Sequence, residues 1–325
     1  MIVAQAWLQG HGYIDAPPWM EHVLINGHVY AIRPILGGIV CLPFAWIGLL
    51  RQTTVASAAG ATAVSLAYQL TESLWLTGLL GFGTLLGYES MFAGVWGMDI
   101  VLACTCGMAA LLALKQRRSF LTGVFAGLEF LARYDTAFTI GAYIWLAHLR
   151  KLRLPSLLAG WLICFGVYIL ANELRWHLWY DPTLARIHDA NGTIGPLFSL
   201  HYLPNNLFVA LFAGPQPLDH FPWFHPSLNG QALLLTSPAL IGVLRPSWRH
   251  REVQASWLGV CLTAGPFLCW YWTGYAQIGA RYWIQVLPWA MKLLSLNEMD
   301  QFAQILIVAS VIITQATIYS GVFLP

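Results

Sequence analysis

KQRR at 115–118, SFLTGVFAGLEFLARYDTAFTIGAYIWLAHL at 119–149 and RKLR at 150–153 form one unit, and its reading decides the fold. Basic residues bound it at both ends, and Arg133-Tyr134-Asp135 interrupts its apolar middle. Two basic clusters around an apolar hairpin read as cytoplasmic loops, with the hairpin leaving and re-entering between them. Arg118 to Arg133 is fifteen residues, about 22 Å of helix at 1.5 Å per residue. Asp135 to Arg150 is equally long. Both arms fall short of a hydrocarbon core of about 30 Å, so the tip is predicted to lie below the outer membrane surface. Ionised groups at that depth cost about 2.5–3.5 kcal/mol each on insertion scales and usually line a cavity. The Arg133–Asp135 pair therefore either closes the hairpin or borders a polar cavity.

The rest of the chain reads the same way. Only 9% of its 325 residues are charged and 58% are hydrophobic, against about 25% charged in soluble domains. Mean hydropathy is +0.62. The net charge of +2 comes from loop arginines and gives no footprint for nucleic acid. The six cysteines fall in apolar segments, where Cys packs as a small hydrophobe. Apolar windows at roughly 35–50, 53–70, 73–88, 91–114, 120–131, 137–149, 155–171, 231–243, 254–272, 282–296 and 302–323 are candidate spans. The expectation is an all-α polytopic bundle of about nine to eleven spans in a single domain, residues 1–325, with short interfacial helices in its outer loops. Arg245, Arg249 and Arg251 mark another cytoplasmic loop, which puts Arg281-Tyr282 near the outer surface beside the 119–149 tip. Three apolar windows lie between Arg51 and Lys115, an odd number. Either one of them is re-entrant or interfacial, or Arg51 is not cytoplasmic. Asp99 falls near the middle of the 91–114 window.

Two polar regions face outward in this scheme. Residues 9–34 form the first outer loop, with Asp15, Glu21, His22, His28 and Arg33. Residues 172–230 form a larger one, carrying Glu173, Arg175, Asp181, Arg186, Asp189, Asp219 and five histidines. None of those histidines has the i, i+4 spacing of a helical metal pair, and Pro222 separates His220 from His225. No metal site is assigned. Asn191-Gly192-Thr193 matches a glycosylation sequon, a pattern common by chance.

Motifs in order along the chain carry a resemblance. They are Ala4–Gly12, Asn26-Gly27-His28-Val29-Tyr30 with Pro34 and Leu42-Pro43-Phe44, Gly81–Thr84 with Val95-Trp96, and Gly123–Tyr134. Phe198–Leu200 with Tyr202–Leu207, Leu234–Leu240, and Gly279–Tyr282 with Leu287-Pro288 complete the series. In this order they resemble the bacterial GT-C-type polytopic membrane glycosyltransferases, relatives of protein O-mannosyltransferases and lipid A aminoarabinose transferases. The resemblance implies a transferase of the bacterial inner membrane, active at its periplasmic or extracellular face. Its donor would be a polyprenyl-phosphate-linked sugar, and its acceptor a glycan, lipid or protein. It also implies a first-loop carboxylate as base, for which Asp15 and Glu21 are the candidates. Arg133 and Arg281, with Arg33, would hold the lipid phosphate. Tyr134 and Tyr282 would donate to or stack on sugar, and Asp135 would orient Arg133 or meet a sugar hydroxyl. The family's base follows a first membrane helix that this chain is expected to lack, so a truncated or non-catalytic relative is one alternative. A lipid or solute transporter is the other, supported by Asp99 at mid-span.

Overall fold

The computed structural model describes residues 1–14, 22–49, 51–91, 97–183, 185, 195–220, 223–225, 227, 230–273 and 279–323. The protein is mostly helical, at 71% helix and 5% strand. Three of its helices are long and apolar enough to cross a membrane: Met98–Lys115, Leu154–Trp176 and Gln301–Ser320. Asp15, Glu21, Val95-Trp96, Arg186, His188, Asp189 and the sequon lie outside the described residues.

Helix α6 (Met98–Lys115) is the centre, with 89% of its span buried. Around it run α3 (Gln52–Thr71), α4 (Leu74–Phe82), α5 (Leu86–Met91), α7 (Ser119–Ala132), α8 (Ile140–Leu149) and α9 (Leu154–Trp176). Small residues set the distances. Ala56, Ala59, Gly60, Ala63 and Ala67 form one buried face of α3, a spacing that stacks them along a single side of a helix. Thr105 of α6 donates to the Ala59 carbonyl at 3.0 Å, and Lys115 donates to the carbonyls of Gln69 and Leu70 and to Glu72. Rising numbers meet rising numbers, so α3 and α6 run parallel. Arg51 therefore lies at the end of the bundle opposite Lys115.

That settles the odd number of windows. The 73–88 window is broken: α4 ends at Gly83 and α5 restarts at Leu86. Together they make one return beside α3, with Ser90 of α5 beside Ser57 and Gly60. Within the 91–114 window, α6 begins at Met98. Asp99 is thus in the first turn of α6, not at mid-span. The 35–50 window is shorter than expected too. Helix α2 (Ile35–Trp46) has twelve residues, about 18 Å. Ile35 meets Tyr134 and Cys41 meets Met98, while a short link joins its far end to α3. Both ends of α2 stay at the Arg133 end.

Three other windows mix helix types. The tip of the 119–149 hairpin is a 3-10 helix (Tyr134–Thr139) leading into α8. Residues 231–243 become α11 (Leu233–Thr236) and the 3-10 helix Pro238–Leu244. Residues 282–296 become the 3-10 helix Arg281–Val286 followed by α13 (Leu287–Leu294). Between the last two regions runs α12 (Arg251–Leu268), and α14 (Gln301–Phe323) closes the described fold.

The loops are not all helix and coil. In the first, β1 (His22–Ile25) pairs antiparallel with β2 (His28–Ala31) through an Asn26-Gly27 turn. Both turn residues have positive φ, 51° and 81°, as a type I′ turn needs. In the second, the described part holds α10 (Leu203–Phe212) and a small ribbon pairing Gln216–Pro217 with Phe224–His225. Helix α9 extends into the region assigned to this loop, ending at Trp176.

At the Lys115 end, Arg245 grips both oxygens of Asp300, and the Ala303 amide donates to the same carboxylate at 2.8 Å. These bonds hold the carboxyl down to about 2. Because its folded value lies below the ordinary carboxylate value, the contribution is complete above about pH 4. It is lost as pH falls through about 2. The protection factor of the Ala303 amide, its exchange rate relative to the intrinsic rate at each pH, is expected to fall only in that acid window. Asp300→Asn is expected to remove the pH dependence; unchanged acid sensitivity in that variant would contradict the assignment.

Candidate functional site

The Arg133 end gathers charges from four distant parts of the chain. The β1–β2 ribbon is fixed by an Ile14–Val29 bridge, and Arg175 of α9 reaches the Ala31 carbonyl at 3.5 Å. Beyond the ribbon, Arg33 lands on Asp99, with Nη1 to Oδ2 at 3.4 Å. Asp99 is almost wholly buried, its side chain 4% exposed. Its place in the first turn of α6 sets a carboxylate at the positive end of a helix dipole. Gly37 of α2 makes room for it, since a Cβ there would sit 2.6 Å from Asp99 Oδ1.

Arg133 ends α7 with an extended backbone. Its Nε and Nη2 donate to the two oxygens of Asp135 at 3.1 and 2.9 Å. This is the forked geometry that makes Arg–carboxylate pairs strong and directional. Gln285 donates to Asp135 Oδ2 at 3.0 Å, and Asp99 lies within electrostatic reach of Arg133. A continuous line thus runs Arg33, Asp99, Arg133, Asp135, Gln285. Tyr134 faces away from that line. Its hydroxyl accepts from the Ile35 amide at 3.3 Å and its ring packs edge-on to Tyr168.

Tyr282 joins the second half of the site. The guanidinium carbons of Arg133 and Arg281 lie over its ring at 5.4 and 5.5 Å from the centroid, within cation–π range. Arg281 makes no side-chain hydrogen bond among the described residues, and its Nε is buried. Glu89 of α5 is 2% exposed and within electrostatic reach of Arg281. Tyr282 also lines a cavity of about 20 Å³ with Asn206, Phe267, Thr273 and Trp283, room for about one water.

Arg33, Arg133, Asp135, Arg281 and Tyr282 therefore lie at one end of the bundle, while Asp15 and Glu21 lie outside the described residues. Asp99 joins this group as the partner of Arg33. Sequence reasoning missed Glu89, Gln285 and Glu129. Glu129 is fully buried one turn before Arg133, accepting from the Tyr143 hydroxyl at 2.8 Å. The signal was present: a lone carboxylate at i−4 to Arg133 inside an apolar run. Gln285 carried no such signal, being uncharged. No group of three or more His, Cys, Asp or Glu side chains placed to hold a metal occurs among the described residues. Comparison with protein-family models, curated protein sequences and solved structures returns no match to this chain.

Proposed function

We propose that the protein is a polytopic integral membrane glycosyltransferase whose Arg133 end binds the phosphate of a polyprenyl-phosphate-linked sugar. The observation that carries this reading is Arg281. It is a guanidinium with no hydrogen-bonding partner among the described residues, at the same end as Arg133 and Arg33. An unsatisfied, partly buried guanidinium fits a phosphate bidentately without first breaking another bond. The exposed apolar faces of α9 (Leu162, Ile163, Leu170, Leu174) and α14 (Phe302, Ile305, Ile312) support a lipid surround. The basic clusters at the opposite end support a cytoplasmic assignment for that end, by the positive-inside rule. The sugar phosphate would then be met at the outer face of an inner membrane. About ten passes between the two ends fit the length of the chain. In the transfer step, an ionised carboxylate takes the proton of the acceptor hydroxyl as its oxygen attacks the sugar's anomeric carbon. The bond to the lipid phosphate breaks, and Arg281 and Arg133 hold the released phosphate charge. Asp15 and Glu21 are the proposed bases.

Binding of undecaprenyl phosphate to the purified full chain in a neutral detergent tests the first half. Arg281→Gln is expected to weaken it about tenfold or more, as loss of a charge-assisted contact does. A wild-type chain that fails to bind the lipid phosphate, or binds it equally after that substitution, would sink the reading. Sugar transfer retained in both Asp15→Ala and Glu21→Ala would exclude the two proposed bases.

A further inference from the structure

The opposite end of the bundle holds a larger cavity, about 250 Å³. That is many times the roughly 10–15 Å³ that one water needs. Lys115, Arg150 and Lys292 line it, with Leu70, Leu111 and Leu114 on its walls. Three cations meet two carboxylates there. Glu252 is shared, taking Arg150 at 3.0 Å and Lys292 at 3.1 Å. Glu72 pairs with Lys115 at the rim, its side chain 76% exposed.

Lys292 is the unusual member. It is 8% exposed, and its one hydrogen bond among the described residues goes to Glu252. An ammonium has three donors, so two remain to meet an acceptor in the cavity that Lys292 lines. Arg150 likewise spends its fork on one oxygen of Glu252 and on the Leu114 carbonyl. Counting Glu252, which pairs with two of the lining cations, the group carries one net positive charge, and its unused donors point to an acceptor with several oxygens.

We infer that this cavity is a second binding site, for a phosphate monoester group bound by Lys292, Lys115 and Arg150. The group comes from an anionic lipid headgroup or from a small soluble phosphate; the chemistry of recognition is the same. The leucine walls suit the glycerol carbons next to such a phosphate. This inference does not rest on the transferase reading, because the site is at the other end of the bundle and shares no residue with it.

Thermal unfolding of the full chain in neutral detergent tests the inference. The probes are short-chain phosphatidic acid, glycerol 3-phosphate and, as a comparator, short-chain phosphatidylcholine. Phosphatidic acid or glycerol 3-phosphate is expected to raise the midpoint in a saturable, salt-sensitive way, and phosphatidylcholine is not. Stabilisation by phosphatidic acid alone assigns the lipid source; stabilisation by glycerol 3-phosphate at similar concentration assigns the soluble one. Lys292→Met leaves Glu252 paired with Arg150 and is expected to weaken binding about tenfold.

A gain-of-function variant guards against misfolding. Glu72→Gln removes an exposed negative charge from the rim, while Lys115 keeps its bonds to the Gln69 and Leu70 carbonyls. It is expected to tighten binding about twofold to fivefold, the scale of an exposed charge pair. No stabilisation by either phosphate, equal stabilisation by phosphatidylcholine, or an unchanged affinity in Glu72→Gln would overturn the inference.

Discussion

Asp135→Ala is expected to destabilise the protein by about 3–5 kcal/mol, the scale for removing one partner of a buried ion pair. The side chains of Arg133 and Asp135 are only 22% and 14% exposed. Without the carboxylate, Arg133 keeps its charge, loses two charge-assisted bonds and is left facing Arg281 across Tyr282. Gln285 loses its acceptor as well. The paired change Arg133→Met with Asp135→Leu removes both charges, and replacing a buried pair by apolar groups is often close to neutral. The double variant is therefore expected to be more stable than Asp135→Ala while losing lipid-phosphate binding. Unfolding in mixed micelles, read by tryptophan fluorescence, checks the order. If the single variant unfolds with the wild type, the pair is not buried in the sense argued.

The second large effect is steric. Helices α7 and α9 run parallel and touch backbone to backbone. A Cβ on Gly123 would lie 1.8 Å from the Leu157 carbonyl oxygen, and one on Gly160 would lie 2.4 Å from that of Phe120. Neither oxygen can rotate away, so the helices themselves must part. Such contact through small residues is how helices associate where burial from water gives no drive. Gly123→Ala is expected to cost about 3 kcal/mol, the upper part of the range for overpacking. Because α7 ends at Arg133, the same change should weaken ligand binding at the site with no contact to it. Gly166 lies on α9 with nothing within 4 Å of its would-be Cβ. Gly166→Ala is the internal control, expected to be neutral or slightly stabilising by helix propensity. Equal melting of the two alanine variants would show that the crossing tolerates a methyl group.

What the sequence disclosed follows from what stands out against an apolar background. Arg133 and Asp135 could be placed at a hairpin tip because the flanking basic clusters and the arm lengths fix its position. Arg281 could be placed at the same end by counting passes. Asp99 could not. The hydropathy window starts at residue 91 but α6 starts at Met98, which moves the carboxylate from the apparent middle to the first turn. Hydropathy is equally blind to direction: nothing in residues 35–50 distinguishes α2, held at one end by Tyr134 and Met98, from a helix that crosses. The breaks at Gly83 and in the 3-10 segments are also invisible to it, since apolar residues suit both geometries. The Asn26-Gly27 turn between alternating residues is a local hairpin signal, and the β1–β2 ribbon follows it.

The order in which the site's partners leave the ribosome gives the Arg133–Asp135 pair a second meaning. Gln285 follows Asp135 by 150 residues, and at 5–20 residues per second that is about 8 to 30 s of synthesis. Arg281 and Tyr282 arrive just as late. Throughout that interval the segment that becomes the hairpin has been made, with its cation and anion two residues apart. Two residues apart in sequence, they can neutralise each other as soon as they are made, before any distant partner is available.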